Sequence, residues 1–129
     1  MIPDRLSPHR FAAAIAERLD GAVPNGISVR AHGDVVGVCD PDWWGGSAIA
    51  DIIGTEDGRT IMERVQTAAR AIMNSAQDQV MESTKEQWPM GPLGVAYPEV
   101  RVVGEHLHLW FGDETAPVIR LEPIALTDL

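Results

Sequence analysis

The chain has 129 residues, 45% of them hydrophobic, and carries 19 acidic against 10 basic side chains for a formal charge of −9. That length suffices for one domain, residues 1–129, with a core that needs no metal or disulfide staple, and the hydrophobic fraction excludes an intrinsically disordered chain. The acidity argues against a binder of phosphate backbones, which needs a Lys/Arg patch to release counterions, and it permits a basic protein partner.

Cys39 is the one cysteine, so no intrachain disulfide forms, which suits a reducing compartment. Pro3-Asp4-Arg5 and the short apolar run ending at Ala16 fit neither a signal peptide nor a membrane span. The expectation is a cytoplasmic protein with no membrane partner.

In chain order, Ser7 caps a first helix with Pro8 at its first position and Leu6 positioned to staple onto Phe11. Phe11, Ala12, Ile15, Ala16 and Leu19 form its apolar stripe, and Gly21 is expected to supply a left-handed stop. Ile27 to Ala31 and Val35 to Cys39 read as two strands of a hairpin through His32-Gly33-Asp34. Asp40-Pro41-Asp42 ends the second, because proline donates nothing to a ladder. After Trp43-Trp44-Gly45-Gly46, Ser47 caps an expected short helical turn through Ala48, Ile49, Ile52 and Ile53, stopped by Gly54.

The dominant element is a helix from about Thr60 to Thr84. Ile61, Val65, Ala68, Ala69, Ile72, Ala76 and Val80 recur three or four residues apart, uninterrupted by glycine or proline. Met62, Met73 and Met81 widen this apolar face and raise the possibility of a homodimer. Trp88-Pro89-Met90-Gly91-Pro92-Leu93-Gly94 reads as an ordered linker pinned by Trp88 rather than regular structure. Three strands close the chain: Glu99 to Val103, His106 to Phe111 across a Gly104-Glu105 turn, and Val118 to Leu121, ended by Pro123. In the middle strand Leu107, Leu109 and Phe111 alternate inward, with His106, His108 and Trp110 on the other face.

The pattern predicts an α+β domain, with an antiparallel sheet of about five strands covered on one face by one long and one shorter helix. Its element order resembles that of secretion-chaperone-like folds. The C-terminal third, from Gln87-Trp88-Pro89 through Pro98-Glu99-Val100-Arg101 and Leu107-His108-Leu109-Trp110-Phe111-Gly112-Asp113 to Leu121-Glu122-Pro123-Ile124, resembles an uncharacterised group of small acidic actinobacterial proteins. No known activity attaches to that group, so the resemblance implies no catalytic residues and, through its Leu-His-Leu-Trp tract, only His108 of the histidine pair.

Several residues bear on chemistry. His106 and His108, two apart on a strand, point the same way and reach one metal ion if a third ligand such as His32, Asp34 or Glu105 joins them. Asp40 with Asp42, and Asp113 with Glu114, pair carboxylates, although acids beside a turn are also ordinary turn chemistry. Cys39 with His32 lacks the orienting and oxyanion groups that a nucleophile needs. Gly45-Gly46-Ser47 before a helix offers free N–H groups to a phosphate but lacks the P-loop lysine. No cofactor is implied.

Trp43, Trp44, Trp88 and Trp110 stand out against one tyrosine and two phenylalanines. Tryptophan anchors interfaces by coupling large area to a polar N–H, and a groove between Trp43/Trp44 and Trp110 is the candidate contact surface. The sequence therefore favours a non-enzymatic interaction protein, an adaptor or chaperone-like partner binding protein rather than nucleic acid. The alternatives are a phage or mobile-element assembly or immunity protein, whose acidity would complement a basic target, and a metal-dependent enzyme using His106 and His108. A DNA mimic needs acids in rows, and here they are scattered among loops.

Overall fold

A computed structural model describes residues 6–49 and 59–129. The first helix, α1, spans Pro8–Asp20; the Ser7 hydroxyl accepts from the Arg10 N–H, and Leu6 and Phe11 are both buried. Its end differs from expectation. Gly21 stays right-handed at φ −76, because the Ala22 and Val23 N–H groups both close onto the Leu19 carbonyl and tighten the last turn.

Strands β1 (Ser28–His32) and β2 (Val35–Asp40) form the expected hairpin, with Gly33 and Asp34 at its tip. The next segment is a correction. Trp43–Ala48 is a third strand, β3, paired antiparallel to β2 from Asp40↔Trp43 to Val35↔Ala48. Pro41 ends β2 only by turning the chain back. The Asp40 carboxylate accepts from the Asp42 N–H at 2.7 Å, and Pro41-Asp42 becomes the tip of a second tight hairpin. Of the expected helical turn, Ser47 and Ala48 lie in this strand, while Ile52, Ile53 and Gly54 fall outside the described residues.

The long helix α2 spans Ile61–Thr84 as its periodicity requires. Thr60 and Glu63 form a reciprocal capping box, and Lys85 ends the helix in the left-handed region at φ 59. Val65, Ala69, Ile72, Met73, Ala76 and Val80 are buried. Met73 is thus spent in the chain's own core, and of the three methionines only Met62 is largely exposed.

The segment after α2 is ordered, as expected, but contains regular structure: β4 (Met90–Gly91) and β5 (Gly94–Val95) pair as a minimal hairpin. Then follow β6 (Pro98–Val103), β7 (His106–Gly112), β8 (Pro117–Arg120) and β9 (Ile124–Ala125), with a closing 3-10 turn at Leu126–Asp128. β7 pairs with β6 and, along its other edge, with β8 and β9.

The protein is α+β, but its strands do not join into one five-stranded sheet covered on one face. Among the described residues there is a three-stranded sheet β1-β2-β3, a four-stranded sheet around β7, and the small hairpin. The reason lies in α2. It packs on β2 and β3 and also against β6, where the Gln66 Oε1 accepts from the Val102 N–H at 2.9 Å and closes the outer edge of β6. A helix side chain occupies the position a joining strand would need. Apolar side chains from both larger sheets and both helices share one core, including Phe11, Ile15, Val38, Ile72, Leu109 and Phe111.

Candidate functional site

The four tryptophans divide into two pairs. Trp88 and Trp110 are spent on the fold. Trp88 packs edge-on against Phe111 at 5.2 Å between ring centroids, and its carbonyl accepts from the buried Gln77 amide. Trp110 is only 4% exposed. The Arg120 guanidinium lies 5.7 Å from its ring centroid, and its indole N–H donates to the Gly112 carbonyl. Arg120 also donates to the Glu114 carbonyl, and Arg101 pairs with the Glu114 carboxylate, so the 112–117 loop is tied across this face. Trp110 therefore offers almost no surface to line a solvent groove. The outward side of a strand is not a free surface when a neighbouring arginine folds over it.

Trp43 and Trp44 are different: they are 37% and 51% exposed. Successive residues of β3, they project to opposite faces of the first sheet. Trp43 shares its face with Ser47, whose hydroxyl bonds that of Ser75 on α2. Trp44 shares the outer face with Cys39 opposite it, and its ring meets His32 edge-on at 5.9 Å. Glycine makes both placements possible. A Cβ on Gly37 would stand 2.5 Å from Trp44 Nε1, and one on Gly45 would stand 2.8 Å from Trp43 Cη2. The indoles lie directly on sheet backbone.

The strand beneath them is an edge. Ile49 N–H donates to the Asp34 carbonyl at 2.7 Å, which fixes the phase of the β2–β3 ladder. Trp43, Gly45 and Ser47 therefore turn their backbone groups toward β2, and Trp44, Gly46 and Ala48 turn theirs away. The other side of the sheet agrees with this phase, since the Val29 N–H points outward from β1 and donates to the Asp20 carboxylate.

Edges invite pairing, and among the described residues four of the five outer strands in the two larger sheets carry a device against it, β9 by being only two residues long. β1 has Arg30 and the Asp20 bond at Val29; β6 has Pro98, Glu99, Arg101 and the Gln66 bond; β8 has Pro117 and Arg120. β3 reads Trp-Trp-Gly-Gly-Ser-Ala, with no charge and no proline, and among the described residues it has a ladder partner on one side only.

The other candidates do not assemble. His106 lies opposite Val103 and Ala125, and His108 lies opposite Arg101, whose positive charge opposes a cation at that spot. Among the described residues no three His, Cys, Asp or Glu side chains form a group able to hold a metal ion. Cys39 and His32 share a face, but Cys39 pairs with Ser28, four residues from His32, which separates them by about 13 Å along the strand. Asp40 is held below the usual carboxylate range by the Ser83 hydroxyl first and then by the Asp42 N–H, which makes it a turn-fixing group. Asp113 accepts from the Thr115 N–H and hydroxyl, also within a turn. Gly45-Gly46-Ser47 is strand rather than helix N-terminus, so it forms no phosphate cradle.

One apolar feature escaped the sequence reading. The β4–β5 hairpin leaves Leu93 fully exposed at its tip, and beside it Tyr97, Ala116 and Val118 line a cleft of about 440 Å³ rimmed by Glu99 and Asp113. The signal available was a lone leucine inside a Pro-Leu-Gly turn, which periodicity does not weigh.

No helix among the described residues is long and apolar enough to cross a membrane. Comparison with protein-family models, curated proteins and solved structures finds no match to this chain.

Proposed function

We propose that the protein is a non-enzymatic interaction module, an adaptor or chaperone-like partner, whose docking site is the β3 edge with Trp43 and Trp44 on its two faces. The observation that carries this reading is that β3, among the described residues the one outer strand of more than two residues in the two larger sheets with neither charge nor proline, bears both half-exposed tryptophans. Large aromatic area at an edge with unpaired backbone groups is the chemistry of strand-mediated recognition. The acidic body adds an electrostatic preference for a basic partner.

The test is co-purification from the source cells, read by native mass spectrometry. A protein partner at fixed stoichiometry with the native chain, lost with Trp44→Lys and retained with Trp88→Phe, supports the proposal. A partner that survives Trp44→Lys, or a bare chain in every preparation, refutes it.

A further inference from the structure

The groups around the β3 edge narrow the partner's chemistry. Ser75 meets Ser47, the amide oxygen of Gln79 stands 3.2 Å from where a Cβ on Gly45 would be, and Ser83 meets Asp40 on β2. These three residues of α2 form the row that faces the first sheet. At 100° per residue, Ala76 and Val80 lie on the core side of that row, and both are buried. Asp78 and Glu82 lie on the opposite side, about 60° round from Ser75 and from Gln79 respectively, and both are exposed. With α1 packed on β1 and β2 and α2 on β2 and β3, that side of α2 is the one toward the β3 edge. Asp42, at the β2–β3 turn, adds a third exposed carboxylate at the same end of the strand. Among the described residues the cations near this end of α2 are few: Lys85 pairs with Glu82 at an exposed surface, Arg70 lies about 2.5 turns back from Gln79 and pairs with Glu99 on β6, and Arg64 lies about four turns back.

Among the described residues nothing pairs with the backbone groups of Trp44, Gly46 and Ala48 that point away from β2, and a fourth strand laid along β3 would meet them. Its residues beside those three would lie on the outer face, against the Trp44 indole. Its alternate residues would lie under α2, where Gly45 contributes no bulk and Asp78 and Glu82 contribute negative charge. On that geometry, and resting on the docking reading above, we propose that the occupant is an extended basic segment of a partner. It adds as a strand to β3 with apolar or β-branched side chains on Trp44 and Lys or Arg side chains under α2. A second copy of this chain fits less well. Its β3 brings no basic residue, and two-fold pairing of the edges would set the Asp78 and Glu82 pairs of both helices on the same side of the joined sheet.

The experiment titrates the isotope-labelled chain with the blocked hexapeptide Val-Lys-Val-Lys-Val-Lys, its Val-Glu counterpart, and a Val-Lys version N-methylated at alternate residues, and follows backbone amides by NMR. The expected result is binding by Val-Lys alone, with protection from exchange gained at Trp44, Gly46 and Ala48 and not at the intervening residues. Asp78→Lys with Glu82→Lys weakens that binding about tenfold, whereas Glu17→Lys, the same kind of charge change on exposed α1 surface, leaves it within about twofold. Both variants alter solvent-exposed positions, and an unchanged amide spectrum elsewhere certifies the fold. Equal binding of the Val-Glu peptide, or retained binding by the N-methylated one, overturns the proposal. So does a dimer in which the same three amides are protected without peptide, or no binding by a monomer. If the peptides fail while a natural partner is still lost with Trp44→Lys, the docking reading stands and this inference falls.

Discussion

Gln77 is the one buried polar side chain on the described part of the core, 2% exposed. Its amide nitrogen donates to the Trp88 carbonyl at 3.2 Å and to the Ala96 carbonyl at 2.7 Å, and so fastens both ends of the β4–β5 hairpin to α2. Gln77→Leu keeps most of the volume and removes both donors. Two carbonyls then lose a partner in a place with little water, at about 1–3 kcal/mol each when an acceptor is left unsatisfied. With partial relaxation the expected loss is about 2–4 kcal/mol, a large part of the ~5–15 kcal/mol available to a domain of this kind. Gln77→Ala adds the missing volume and costs about 1 kcal/mol more. Urea unfolding followed by circular dichroism gives the total. Tryptophan fluorescence of the folded state reports the loosening of Trp88 from Phe111. A Gln77→Leu variant within about 0.5 kcal/mol of the native chain would refute the argument that these two hydrogen bonds hold the hairpin.

Asp20 is held below its ordinary value of 3.8 by the Val29 N–H first and then by Arg30. A carboxyl with a depressed pKa in the folded state contributes stability that is complete above its unfolded value and is lost as the pH falls through the folded one. Unfolding titrations should therefore show a decline below about pH 4 that flattens in Asp20→Asn. Gly37→Ala forces the Trp44 indole off the sheet, because the new Cβ would stand 2.5 Å from Nε1. Since Trp44 is half exposed and free to swing away, stability should change by less than about 1 kcal/mol while the Trp44 indole signal shifts in the NMR spectrum. Protein purified without a histidine tag should carry no zinc or iron that depends on His108; stoichiometric metal lost in His108→Ala would contradict the reading of that strand.

Much of the fold was legible because it is local. The Ser7 cap, the apolar stripe of α2, the turn through Gly33-Asp34 and the inward alternation of Leu107, Leu109 and Phe111 are each set by neighbours within a turn or two. What escaped was a local turn and the long-range contacts. Pro41 reads as a strand terminator and is in fact the corner of a hairpin, because Asp40 accepts from the Asp42 N–H and returns the chain. The separation of the sheets depends on Gln66 reaching Val102, thirty-six residues away, which no periodicity encodes. At the site, composition singled out four tryptophans but could not sort them. Trp110 is covered by Arg120 and Trp88 by the core, whereas Trp43 and Trp44 are left exposed by an edge whose existence depends on that hairpin.

The most direct test of the account is residue-resolved amide hydrogen exchange on β3, in the free chain and in the complex co-purified with its natural partner. In the free chain, Trp43, Gly45 and Ser47 should exchange slowly and Trp44, Gly46 and Ala48 quickly, an alternation that only a singly paired strand produces. In the complex, the fast three should become slow. Protection of Trp44, Gly46 and Ala48 in the free monomer, or exchange there that the partner leaves unchanged, would contradict the assignment of β3 as the docking edge.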